Sequence, residues 1–98
     1  MQRGRLDSVQ IEELKLMLPS WQVSKNELSR TYQFSTFLEA FGFMTKCALI
    51  AERMNHHPEW TNVYGEVKVC LTTHDKGGVT ELDREMAQKM DVLADGSH

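Results

Sequence analysis

At 98 residues, 41% hydrophobic and 26% charged, the chain has the size and composition of one globular domain spanning 1–98, with a core modest enough that self-association would add to it. Its 11 basic and 14 acidic residues give a formal charge of -3, and the basic ones are scattered, which argues against the concentrated phosphate-neutralising surface of a direct nucleic-acid binder. No run approaches the ~20 apolar residues of a membrane span, and no apolar run follows the basic N-terminus as it would in a signal peptide; with Cys47 and Cys70 far apart and outside any C-x-x-C spacing, free thiols and a cytoplasmic location are expected, the nucleus being open to a eukaryotic member.

In chain order, Asp7 or Ser8 can cap a first helix whose apolar pattern is Val9, Ile11, Leu14, Leu16, Met17 and Leu18, stopped by Pro19. Trp21 and Val23, then Leu28, Arg30, Tyr32 and Phe34, alternate with polar neighbours. With Ser24, Lys25 and Asn26 as turn formers, they predict two antiparallel strands.

Thr36 and Glu39 have capping-box spacing ahead of a long apolar segment, Phe37 to Met54. Wound as a helix, Phe37, Ala40, Phe41, Phe43, Met44, Cys47, Ala48, Ile50, Ala51 and Met54 cover close to half its circumference, wider than the stripe of about 100° that one sheet requires. A well-buried core helix accounts for that width. The reading preferred is a second apolar flank, Phe43, Cys47, Ile50 and Met54, packing on the same helix of another copy.

After Pro58, the stretches Trp60–Tyr64 and Val67–Thr73 predict a hairpin turning at Gly65 and Glu66. That register sets Trp60 opposite Leu71 and His57 opposite His74. Gly77 and Gly78 then lead to a last helix from Thr80, with Leu82, Met86, Met90 and Leu93 on one face and Gly96 at its end. Helix, two strands, long helix, two strands, helix is the order of an α+β domain with an antiparallel sheet and helices on one face. The tail D-G-S-H, with His98, is expected to fray.

The chemistry concentrates between Glu52 and Asp83, which hold three of the four histidines. Imidazole changes charge nearer neutrality than any other unperturbed side chain. Convergence of His56 and His57 on His74 therefore points to general acid–base work. Zinc held by His56 or His57 with His74 and Glu52 is the competing chemistry, although the adjacent pair and the absence of H-E-x-x-H or C-x-x-C tell against it. Glu52, four residues before His56, can orient that ring if the helix extends so far. Asp83, three after Thr80, stands where a capping-box partner belongs. Trp60 and Tyr64 suit hairpin packing or a flat ligand alike, and Pro58 ends the extension of the long helix and enforces an extended approach to the strand.

These residues resemble the pterin-4a-carbinolamine dehydratase family. Its signature is an acid, three residues, H-H-P, five residues, an aromatic, nine residues, His, eight residues and Asp, met by Glu52, His56-His57-Pro58, Tyr64, His74 and Asp83. The strings A-F-G-F-M, H-H-P-E-W, N-V-Y, L-T-T-H and G-G-V-T are similar too, and the likeness runs from Ser8 to Leu93. It implies a four-stranded antiparallel sheet with three helices on one face. The implied activity is removal of water from the carbinolamine of a tetrahydropterin to give quinonoid dihydropterin, with no metal or other cofactor. His56 and His74 would be the acid–base pair and His57 the ligand-positioning residue. Glu52 would orient His56, Asp83 would hold His74 or its loop, and Trp60 would wall the pocket. The family forms dimers and tetramers through a bundle of the long helices. Some animal members also act as dimerisation cofactors of a hepatocyte homeodomain transcription factor; the compact L-P-S-W and Cys47 depart from those members.

Overall fold

The computed structural model describes residues 4–96, so the expectation of a frayed tail at His98 lies outside it. The described residues form three α-helices and a four-stranded sheet. Helix α1, Ser8–Met17, starts at an Asp7 cap: the Gln10 N–H donates to Asp7 Oδ1 at 2.8 Å, and Gln10 Oε1 accepts from the Asp7 N–H at 2.8 Å. Such reciprocal capping satisfies donors that a helix start leaves unpaired. Ile11, Leu14 and Leu18 enter the core, while Val9, Leu16 and Met17 of the same apolar pattern face outward.

Strands β1 (Gln22–Val23) and β2 (Leu28–Gln33) form the expected first hairpin. Ser24 Oγ accepts from the Asn26 and Glu27 N–H groups in the turn. The second hairpin joins β3 (Glu59–Val63) to β4 (Glu66–Leu71), and the sheet order is β1-β2-β4-β3, antiparallel throughout. Leu28 and Tyr32 on β2 and Val67, Val69 and Leu71 on β4 are buried on one face beneath the helices. Thr31, Glu66 and Lys68 point the other way and are exposed, the period-2 alternation of a sheet covered on one side.

The predicted hairpin register is corrected. Val63 pairs with Glu66 and Trp60 with Val69, so the turn residues are Tyr64 and Gly65. Tyr64 takes the left-handed φ of 51°. A Cβ on Gly65 would stand 2.3 Å from the Phe34 carbonyl oxygen, and the Gly65 carbonyl accepts from the Phe34 N–H at 2.8 Å. Contact with the end of β2 therefore sets the register, and turn preference alone could not reveal it.

Helix α2, Phe37–Met54, matches the predicted span. Thr36 Oγ1 accepts from the Glu39 N–H at 3.1 Å, but the Glu39 carboxylate reaches the Ser35 N–H instead of completing the box on Thr36. The proposed flank of Phe43, Cys47, Ile50 and Met54 is not an outer surface. Phe43 and Cys47 are 0% exposed, Phe43 lies against Tyr32 and Phe34 at centroid distances of 4.7 and 5.1 Å, Ile50 is half-buried, and Met54 packs on the core. The outward apolar residues are Phe37, Leu38, Phe41 and Leu49. Both sides of the helix are apolar, and a periodicity cannot say which side meets the sheet. Both cysteines are free thiols; burial pushes Cys47 up to about 12, and burial first, with Glu27 close by, takes Cys70 to about 11.

Helix α3, Glu81–Asp95, buries Met86 and Met90, with Leu82 and Leu93 at the margins. Near its end Asp91 accepts from Trp21 Nε1 at 3.0 Å, an Arg30 guanidinium nitrogen at 2.6 Å and the Tyr32 hydroxyl at 2.5 Å. Burial, and after it the bond to Asp91, holds the Tyr32 phenol protonated far above the ordinary tyrosine range. Gly96 closes the helix at φ -80° and needs no left-handed turn.

Two glycines should respond in opposite senses. Gly65→Ala should lose about 3 kcal/mol in urea unfolding because backbone blocks the new methyl. Gly42→Ala, on α2 with nothing within 4 Å of its Cβ, should gain up to about 1 kcal/mol from helix propensity.

Candidate active site

The site is built where α2 stops. Asn55 adopts the left-handed φ of 52° and its N–H bonds back to Glu52 and Ala51 carbonyls, a termination that Asn tolerates better than most residues. The helix thus ends before His56, and Pro58 is not its terminator. The turn sends consecutive side chains apart: His56 is buried, whereas His57 is exposed.

Each of the three described imidazoles has a carboxylate partner. His56 Nε2 lies 2.6 Å from Asp83 Oδ1 in the interior, and His57 Nε2 lies 2.9 Å from Glu52 Oε2. His74 Nε2 lies 3.3 Å from Glu59 Oε1. Two expected pairings are corrected here. Glu52 meets His57, not His56, because α2 ends at Met54, two residues short of what an i,i+4 pair with His56 needs; Asp83 holds His56, not His74. Nor does His74 face His57 across a ladder. It follows the end of β4 in a 3₁₀ turn, His74–Lys76, and approaches the start of β3 through Glu59.

Asp83 is 0% exposed and uses its two oxygens for different tasks. Oδ2 accepts from the Thr80 N–H at 2.9 Å and from Thr73 Oγ1 at 2.8 Å, completing the cap of α3, while Oδ1 meets His56. Capping and site-building are thus one role, since an ionised carboxylate offers about four acceptor positions. The other two pairs sit in solvent, with side chains 58% and 79% exposed for His57 and Glu52 and 80% and 66% for His74 and Glu59. Exposed pairs of this kind contribute at most about 1 kcal/mol, so the buried pair dominates the energetics.

Trp60 is half-buried against the core beside Val69, a wall at the start of β3. Tyr64 is not brought to the cluster: it is 82% exposed at the hairpin tip, five strand residues or roughly 17 Å beyond Glu59. Sequence reasoning missed Glu59, Thr73 and Thr80, although H-H-P-E-W, L-T-T-H and G-G-V-T contain them. Among the described residues no three His, Cys, Asp or Glu side chains are grouped as metal ligands would be, and no helix is long and apolar enough to cross a membrane.

Fold and cluster define a class: an α+β domain presenting paired imidazoles, one of them fixed by a buried carboxylate, at the junction of its long helix and sheet. Comparison with known proteins gives the family. Residues 4–93 match the family described as pterin 4 alpha carbinolamine dehydratase, and the chain belongs to it. A Prochlorococcus marinus relative is 47% identical over 93 residues, covering 95% of this chain and 97% of its own. One from Chelativorans sp. is 51% identical over 96 residues, covering 96% and 98%. Both names give the dehydratase activity provisionally. A crystal structure from Brucella melitensis, described as a transcriptional coactivator/pterin dehydratase, superposes with TM-score 0.89 at 44% identity over 93% of this chain and 99% of that one. A pterin dehydratase-like protein identified as a RuBisCO assembly factor in the alpha-carboxysome shares the fold at TM-score 0.64 and 21% identity, over 76% of this chain and 86% of that one.

Unequal burial of the pairs gives a direct test. Asp83→Ala should cost about 3–5 kcal/mol in urea unfolding, because it strands buried donors. Glu52→Ala should change stability by less than about 0.5 kcal/mol. Similar losses in the two variants would contradict the ranking.

Proposed function

We propose that the chain is a dehydratase acting on a 4a-hydroxytetrahydropterin, releasing water and leaving the quinonoid dihydropterin, in the recycling of tetrahydrobiopterin. The observation that carries this reading is the buried His56–Asp83 pair beside the exposed His57 and His74, in a chain whose family is named for that reaction. The C4a–O bond must break as its oxygen takes a proton, and N5 must lose one as the C4a=N5 bond forms. Two imidazoles in opposite protonation states supply both transfers, each worth about 10²–10⁴-fold.

His56 is assigned as the base, since the Asp83 carboxylate stabilises the imidazolium that forms when the ring takes the N5 proton. With Nε2 turned to Asp83, Nδ1 is the atom offered to substrate. His74, on the loop after β4, protonates the departing hydroxyl. His57, paired with Glu52, positions the pterin, and Trp60 lines its flat face. Tyr64 has no part in this assignment. The chemistry uses no metal, and a cytoplasmic setting suits its free thiols.

We assign the outward stripe of α2 to packing between copies, as dimer or tetramer. Leu38 and Leu49 are 80% and 63% exposed there, and burying such side chains yields about 1.5–3 kcal/mol each. The same stripe favours a second reading, a helix-mediated dimerisation cofactor, since the Brucella melitensis relative is described partly as a coactivator.

A dehydration assay on purified protein tests the activity. His74→Ala and His56→Gln, the latter keeping an N–H for Asp83, should each lower kcat about 10²-fold or more with folding intact; near-normal turnover in both would reject the assignment. Activity should survive EDTA. Leu49→Glu should reduce the mass seen by light scattering, and an unchanged mass would remove α2 from the assembly.

A further inference from the structure

We infer that Thr73 is a positioning residue of the active site, whose hydroxyl fixes the Asp83 carboxylate and through it the tautomer and orientation of His56. This rests on the reading that His56 and His74 act on one substrate, and it adds a residue that the pairing of acids with imidazoles does not contain.

The proton inventory of the network fixes its direction. Thr73 Oγ1 donates to Asp83 Oδ2 at 2.8 Å and also lies 2.8 Å from Thr80 Oγ1. A hydroxyl has one proton to give. Thr73 gives its proton to the carboxylate, so the second contact must be donated by Thr80. Thr80 Oγ1 in turn accepts from the Leu82 N–H at 3.2 Å. A directed chain results, from the Leu82 amide through Thr80 and Thr73 to Asp83 Oδ2, with Asp83 Oδ1 left to receive His56 Nε2 at 2.6 Å. Hydrogen bonds aligned this way polarise one another.

Thr73, Thr80 and Asp83 are 6%, 2% and 0% exposed, so water cannot replace a missing link. Without the Thr73 proton Oδ2 keeps only the Thr80 N–H at 2.9 Å, one donor fewer to hold the carboxylate in plane with His56, and the Thr80 hydroxyl loses its acceptor. The placement matters because Thr73 is also the residue before His74. Its N–H donates to the Gly78 carbonyl at 3.0 Å and its carbonyl accepts from Lys76 at 3.0 Å, closing the loop that carries His74. One residue thus sets the loop of the proposed acid by its backbone and the carboxylate behind the proposed base by its side chain.

Thr73→Val keeps shape and removes the donor; Thr73→Ser keeps the donor. For the folded Val variant, kcat should fall about tenfold with KM within about twofold, the loss of one hydrogen bond to a charged group, and Ser should restore kcat to within about twofold. Nitrogen-15 spectra of the imidazoles should show His56 held with its proton on Nε2 in the wild type and in Thr73→Ser, and a mixed tautomer population in Thr73→Val. The spectra are independent of turnover. If wild type has no dehydratase activity but the tautomer shift is seen, the functional reading fails while the positioning role stands. An unchanged His56 spectrum in Thr73→Val overturns the inference, as does a Val variant that fails to fold while Ser folds, which would assign the hydroxyl to stability alone.

Discussion

A carboxylate fully withdrawn from water is the constraint on which the rest of this structure depends. An unpaired buried charge costs several kcal/mol even after relaxation, so Asp83 is tolerable only with donors at both oxygens. Those donors come from three places in the chain: the corner after α2 through His56, the loop after β4 through Thr73, and the start of α3 through Thr80. Each ties its own segment of the chain to the charge. The fold and the proposed chemistry therefore share one interaction, and the segments that carry the imidazoles are those the carboxylate ties together.

The same device recurs eight residues on. Asp91 gathers Trp21, Arg30 and Tyr32 and fixes the far half of α3 to the β1–β2 side of the sheet, with the Arg30 guanidinium 4.2 Å from the Tyr32 ring centroid. With α3 anchored by a carboxylate near each end, α2 can give its Phe43 and Cys47 side to the core and leave its Phe41 and Leu49 side uncovered.

Much of this was legible in the residues, and the failures have physical causes. Element order, the span of α2 and the three-helix, one-sided sheet followed from periodicity and capping signals, which are local. The Glu52-to-Asp83 stretch was the right place to look because imidazoles and acids crowd there. What failed depended on contacts distant in sequence. The hairpin register is set by the Phe34 carbonyl against Gly65. The pairing of acids with histidines is set by a left-handed Asn55 that cuts the helix short. The buried side of α2 is set by the aromatic cluster of Tyr32, Phe34 and Phe43. Spacing marks Asp83 as a cap and is silent on its second oxygen, which holds His56 while the first completes the cap.

The division between one buried and two exposed pairs says where preorganisation resides. Exposed ion pairs are worth too little to hold a side chain against solvent, so Glu52 and Glu59 cannot by themselves fix His57 and His74. Their backbones must do it. His57 follows a corner pinned by the His56 N–H to the Ala51 carbonyl at 3.1 Å and by the Asn55 N–H to Glu52 at 3.3 Å, and Pro58 restricts the residue before it. His74 sits in a loop closed by the Thr73–Gly78 bridge and by the Gly77 N–H to its own carbonyl at 3.0 Å. Their rings keep freedom that His56 lacks. One rigid carboxylate-backed imidazole and two adjustable ones suit the proposed reaction, in which one proton leaves a fixed ring nitrogen while the other must follow a departing oxygen.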